Sequence, residues 1–319
     1  MEQTTIVHRR PPQTPAPPRQ APAELELGRE LSNRYVVLEQ VGQGAMGTVY
    51  RAWDRKSSSV VALKVVHRES AIAVRFRRGS KALLRMRHPG ITEALGCGRH
   101  EELDYLVTRY YAGTSLAEAL EWLGPWDPPE AVRLTVGLLQ ALDYLHRQGY
   151  VHRDVKPSNI LLTTNGEPIL ADFDLAKPFT RTNDSGCFSR ELLEEALQDS
   201  QGCLSGTPLY LPLQRLRGEP AEPGDDVYSA ALVLYQLLSG RLPHDVGQYR
   251  DLSSLLAARE GRVPTLTSLS VELPRELERV ILRALDPERE ARYGSGAELI
   301  AALKRGERPQ TSGRFRVVA

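Results

Sequence analysis

The sequence has no apolar run approaching the roughly 18 residues that a membrane-crossing helix needs. Its N-terminus lacks the short apolar core of a secretory signal. A cytoplasmic protein is the expectation. Cysteine is scarce, and Cys97, Cys187 and Cys203 show no metal-ligand spacing, which suits a reducing compartment. Cys187 and Cys203 lie in one segment and read as spectator thiols. There is no charge excess, with 41 basic against 40 acidic residues, and so no electrostatic footprint for nucleic acid. Apolar periodicity is missing near the start, where Pro11, Pro12, Pro15, Pro17, Pro18 and Pro22 punctuate a polar stretch. A disordered Pro-rich arm is expected over residues 1–30. Beyond it, a hydrophobic content of 41% over a chain of 319 residues suffices for a sizeable core.

What is present is a series of short polar motifs in a fixed order. Val41-Gly42-Gln43-Gly44-Ala45-Met46-Gly47-Thr48-Val49 sits inside strand-like residues from Tyr35 to Ala52. Glycines there let the backbone close over a phosphate chain and present N–H groups to it. A dinucleotide fingerprint would pass directly from the glycines into a helix, but Val49 to Trp53 continues as a strand. Val61-Ala62-Leu63-Lys64-Val65-Val66 alternates as the next strand, with Lys64 in its middle. Farther on, His152-Arg153-Asp154-Val155-Lys156-Pro157-Ser158-Asn159-Ile160 places a candidate base, a cation and a metal-ligating amide on one short loop. That combination suits phosphoryl transfer. Asp172, in Ala171-Asp172-Phe173-Asp174, follows a strand-like Pro168-Ile169-Leu170 and supplies the hard oxygen that magnesium prefers.

In this order the motifs resemble those of the eukaryotic-like (Hanks-type) Ser/Thr protein kinases of bacteria, over about Arg34 to Leu303. The resemblance implies an α+β bilobal fold: a small antiparallel-sheet lobe with one regulatory helix at 31–113, a larger mainly helical lobe at 114–305, and a tail at 306–319. It implies ATP and magnesium or manganese as cofactors. Asp154, Lys156 and Lys64 take the catalytic positions, and Asn159 and Asp172 the metal positions. Val41 to Val49, Ala62, Lys64, Arg109, Tyr111 and Leu161 line the nucleotide site, with Thr108 as gatekeeper and the backbone of Arg109 and Tyr111 on the adenine edge. Ala71 to Met86 matches the regulatory helix. Gly206-Thr207-Pro208-Leu209-Tyr210 matches the platform for a protein substrate, and Thr207 with Lys156 the pairing typical of Ser/Thr specificity. Asp226-Val227-Tyr228-Ser229 opens the buried helix that braces the catalytic loop, and Arg292 matches the family's late arginine. Many relatives continue into a membrane span and sensor, whereas here only Arg305 to Ala319 follows, so a regulatory protein partner is expected.

Three departures bear on activity. Gly79 stands where the regulatory helix should carry the glutamate that pairs with Lys64, so the lysine is expected to lack its usual partner, with Glu93 or Asp172 as substitutes. Glu69 is ten residues away, about 15 Å along a helix, and is too far. A mid-helix glycine is also expected to weaken that helix by roughly 1 kcal/mol. Asp174 replaces the glycine of D-F-G, and is expected to ligate a metal or to raise the pKa of Asp172. Pro212-Leu213-Gln214 replaces Ala-Pro-Glu, leaving Gln214 to hydrogen-bond Arg292 without charge assistance. The alternative function is a nucleotide-binding pseudokinase that acts as a scaffold or switch. Between Asp172 and Gln214, residues Ser189 to Ser200 show helical spacing, and Thr180, Thr182 and Ser185 are candidate phosphosites that would pair with Arg153.

Overall fold

A computed structural model describes residues 24–44, 47–70, 72–179, 207–243 and 252–307. Six strands form one antiparallel sheet in the order β1-β2-β3-β4-β6-β5: β1 Glu30–Leu31, β2 Tyr35–Gly44, β3 Gly47–Asp54, β4 Ser59–His67, β5 Ala94–His100 and β6 Leu103–Arg109. Helix α1, Ala73–Leu83, crosses between β4 and β5 in the chain. The alternation in β4 decides which way Lys64 points. Val61, Leu63 and Val65 are fully buried in a core shared with Leu31, Tyr50, Ala52 and Val107. Ala62 and Lys64 therefore project from the opposite face, because successive strand side chains alternate.

The second lobe begins at β7, Gly113–Ser115, which leads into α2, Leu116–Leu123. A capping box fixes the start of α2: Ser115 Oγ accepts from the Glu118 N–H at 3.2 Å, and Glu118 Oε2 accepts from the Ser115 N–H at 2.8 Å. Helix α3, Pro128–Arg147, carries Val132, Val136, Leu139, Leu142 and Leu145 at three- and four-residue steps, and all but the half-buried Val136 are buried. It ends at Gly149, whose φ of 78° is left-handed and suits glycine. Short strands β8 Tyr150–Val151, β9 Ile160–Thr163, β10 Pro168–Leu170 and β11 Lys177–Pro178 carry the catalytic loop and its successor. They pair as β10-β9-β7 and β11-β8. Then come α4 Leu213–Leu216, α5 Pro223–Ser239, α6 Leu252–Glu260, α7 Arg275–Ala284 and α8 Gly296–Gly306. Helix α5 is buried on almost every face, as its composition predicts, and packs on α3 and α8. The bilobal α+β arrangement implied by the motifs is the one observed.

Leu25, inside the range expected for the N-terminal arm, is buried, and its N–H donates to Tyr50 Oη at 2.7 Å. Thr180, Thr182, Ser185, Cys187, Ser189 to Ser200 and Cys203 lie outside the described residues, as do Ala45, Met46 and Gly206.

Asp54 closes the far end of the β2–β3 hairpin. Its buried carboxylate accepts from Arg34 Nε and Nη2, each at 2.7 Å, from Ser57 Oγ at 2.8 Å and from the Lys56 N–H at 3.0 Å. These bonds, Arg34 first, outweigh burial and hold its pKa well below the usual carboxylate range. Asp54→Asn should cost about 1–2 kcal/mol at neutral pH, since Arg34 is one-third exposed and screened. With the folded pKa depressed, this stability is present above the unfolded value of about 3.9 and is lost as pH falls. The gap in Tm between variant and wild type should narrow below about pH 4, and a gap unchanged at pH 3 would remove the ion pair from the explanation.

Candidate active site

The register of the small-lobe sheet assembles one wall of a cleft. Val49 stands opposite Lys64, Lys64 opposite Leu106, and Ala62 opposite Thr108. Val49, Ala62, Thr108, Tyr111 and Leu161 are each half-buried, while Val41 to Gly44 are exposed. A Cβ added at Gly42 or Gly44 would meet nothing within 4 Å, so internal packing does not demand glycine there. Gly47 differs, since its φ is 113° and a Cβ would lie 2.5 Å from the Val65 carbonyl oxygen. The Arg109 N–H donates to the Glu93 carbonyl at 2.9 Å, which leaves any adenine contact of Arg109 to its own carbonyl.

The loop after β8 forms the facing wall. Asp154 Oδ2 accepts from Asn159 Nδ2 at 2.8 Å and from Lys156 Nζ at 3.0 Å. Asn159 Nδ2 also donates to the Asp154 carbonyl at 2.9 Å, so the amide oxygen is the atom left for a cation. The backbone of this loop hangs on Asp226 in α5. The Asp226 carboxylate accepts from the N–H groups of His152 and Arg153 and meets His146 Nε2, all at 2.8 Å. Burial opposes its charge, but His146, His152 and the Arg153 N–H outweigh burial and lower its pKa. Arg153, held this way, sits at φ 73°, a conformation that side-chain-bearing residues adopt only under constraint. His152 is fully buried. Its Nδ1 accepts from the Asp154 N–H, so the ring proton sits on Nε2, which lies 3.0 Å from the Ala171 carbonyl.

Asp172, at φ 58°, turns the chain after β10 so that its carboxylate meets Lys64. Phe173 packs edge-on against His152 with ring centroids 4.8 Å apart. Lys64 Nζ donates to Asp172 Oδ1 at 3.0 Å and to Asp174 Oδ2 at 2.7 Å. Lys64 is therefore not without a partner. Of the two substitutes expected, Asp172 makes the contact and Glu93 does not, since Glu93 pairs with Arg109 at 2.6 Å. Asp174 makes the shorter of the two lysine contacts, a role the sequence did not suggest. Burial works against both carboxylates. At Asp172 the Lys64 charge and hydrogen bond outweigh burial and the pKa is lowered; at Asp174 burial wins and pushes it up to about 7. Burial also opposes the charge of Lys64, but the two carboxylates raise its pKa.

Gly79 has a role that helix propensity alone does not suggest. A Cβ there would lie 2.3 Å from the Phe173 carbonyl oxygen and 2.9 Å from Asp174 Cα, so α1 rests directly on this segment. Gln214 Oε1 accepts from Arg292 Nη2 at 3.0 Å, as its uncharged amide allows, and Gln214 Nε2 donates to the Pro287 carbonyl, also at 3.0 Å.

The site thus combines a glycine-lined strand turn, a lysine held on an aspartate, and an Asp-Lys-Asn loop braced from below. The protein kinase domain family model matches residues 35–300, and the chain belongs to that family. It is 31% identical over 285 residues to the serine/threonine-protein kinase PknB of Mycolicibacterium smegmatis, covering 87% of this chain and 43% of that protein. It is 28% identical over 282 residues to PrkC of Bacillus subtilis, covering 87% and 41%. With a probable serine/threonine-protein kinase of Streptomyces coelicolor it shares 30% identity over 283 residues, covering 86% and 40%. The chain thus spans less than half the length of these relatives.

Proposed function

We propose that this chain is an ATP-dependent protein serine/threonine kinase, active in signalling and cytoplasmic. The observation that carries the reading is the convergence of Lys64 on Asp172 across from the Asp154–Lys156–Asn159 loop. The relatives' names, serine/threonine-protein kinases, support it.

The residues fit a magnesium-bound nucleotide. Gly42 and Gly44 leave open space where a side chain would stand, and Asp172 and the Asn159 amide offer hard oxygens. Among the described residues no three His, Cys, Asp or Glu side chains cluster as a metal site, but magnesium bound through phosphates and water requires none. When bound, ATP with its metal supplies the transferable phosphoryl group and neutralises its charge. Lys64 would hold the α- and β-phosphates, and Lys156 the transferred group. Asp154 would orient the acceptor hydroxyl and take its proton. Val41 to Val49, Ala62, Leu161 and the backbone of Arg109 and Tyr111 would enclose the nucleotide. The acceptor is a Ser or Thr of a protein, and a regulatory protein partner is part of this reading. No described helix is long and apolar enough to cross a membrane.

The scaffold alternative rested on Lys64 having lost its carboxylate and on Asp174. Asp172 and Asp174 both on Lys64 give the lysine carboxylate partners, which favours the kinase reading. The test is transfer of radiolabelled γ-phosphate to a generic basic protein with magnesium or manganese, followed by phosphoamino-acid analysis. Label on serine or threonine is expected. No label from protein that binds ATP would replace this reading with the scaffold one.

A further inference from the structure

Helix α1, AVRFRRGSKAL, contains no acidic residue, so it can offer Lys64 nothing. At Gly79 it has no room to do so either, because a Cβ would overlap the Phe173 carbonyl oxygen at 2.3 Å. Yet the Lys64 side chain is only 15% exposed, and an ammonium placed there needs a nearby anion. Asp172 alone cannot both anchor the lysine and serve a cation without dividing its oxygens between two tasks. Its Oδ1 already accepts from Lys64 and from the Asp174 N–H. Asp174 meets the lysine at 2.7 Å with a side chain that is only 5% exposed.

We infer that Asp174 is the positioning residue for Lys64, standing in for the glutamate that α1 lacks, and that Gly79 is the matching half of this arrangement. The inference deepens the kinase reading above and rests on it. The lysine's anchor comes from the same segment as the cation-facing aspartate. Helix α1 participates only by packing its glycine on the backbone of residues 173–174. With Asp174 sharing the lysine, the Asp172 contact stays on Oδ1 and Oδ2 would be the oxygen for the cation, while Lys64 would stay directed at the phosphates.

The test is a double-mutant cycle on Mg-ATP affinity: wild type, Asp174→Asn, Lys64→Met and the double variant. If Asp174 acts through Lys64, Asp174→Asn should weaken binding about tenfold in the wild-type background and less than twofold beside Met, which is a coupling of ordinary size for touching charges. Asp174→Gly, which restores the family's motif, should weaken binding as much as Asn does. Equal losses in both backgrounds would mean that Asp174 acts through the cation or the fold, and would overturn the inference, as would no loss in either. Melting temperature repeats the cycle without nucleotide. Asp174→Asn should lower Tm when Lys64 is present and raise it when Met leaves two carboxylates facing each other; a fall in both backgrounds would count against the inference. The kinase reading fails separately, if the wild type binds ATP and transfers no phosphate.

Discussion

Asp154→Asn is expected to lower phosphate transfer by two to four orders of magnitude while leaving ATP affinity within about threefold. The substitution is nearly isosteric and removes the carboxylate that the proposed reading assigns to take a proton from the acceptor hydroxyl. Asp154 accepts from Lys156 and Asn159, and an amide oxygen at the same place can still accept from both. The brace from Asp226 acts on the backbone of His152 and Arg153, so the loop should keep its path. The checks are initial rates with radiolabelled ATP and titration with a fluorescent ATP analogue. A variant that transfers at the wild-type rate would end the assignment of Asp154. A variant that loses ATP affinity in proportion to rate would show that the residue supports the nucleotide pocket instead.

Gly79→Ala should destabilise the protein by about 1–3 kcal/mol, the usual cost of forcing a methyl group into a filled space. Helix propensity predicts the opposite, because alanine is better than glycine inside a helix by about 1 kcal/mol. The two effects oppose each other, and the geometry decides which wins. A Cβ 2.3 Å from a backbone oxygen and 2.9 Å from a Cα cannot be accommodated by turning a flexible side chain. Either α1 or the Phe173–Asp174 backbone must move, which disturbs the side chain that holds Lys64. The expected results are a lower Tm by differential scanning calorimetry and weaker ATP binding. A stabilised variant would show that α1 is free to shift and that propensity governs position 79.

The parts of the site that a sequence reading recovers are those whose meaning is local. The Gly42–Gly47 turn, Lys64 at the centre of an alternating strand, and the Asp154–Asn159 loop each declare themselves within ten residues, because strand alternation and turn chemistry set where their side chains point. Helix α5 was also legible, since only a buried helix is apolar on nearly every face. Asp172 was among the partners expected for Lys64; the one missed, Asp174, depends on a contact across 110 positions of chain. No periodicity encodes the distance between α1 and residues 173–174, so Gly79 read as a weakness in a helix when it is what permits close packing. Similarly, Asp174 read as a metal ligand or a perturber of Asp172, because its lysine partner is fixed by tertiary geometry. Gln214 was legible, because an amide can replace a carboxylate toward Arg292 whatever the surrounding detail.

The abutment of Gly79 on Phe173 and Asp174 also constrains how this site can change over generations. A glutamate introduced first at position 79 meets backbone atoms with no space to enter. A glycine introduced first at position 174 leaves Lys64 with Asp172 as its remaining carboxylate among the described residues, and divides that carboxylate between lysine and cation. Each single step toward the family's common arrangement is therefore expected to be a loss, by sterics at position 79 and by charge at position 174.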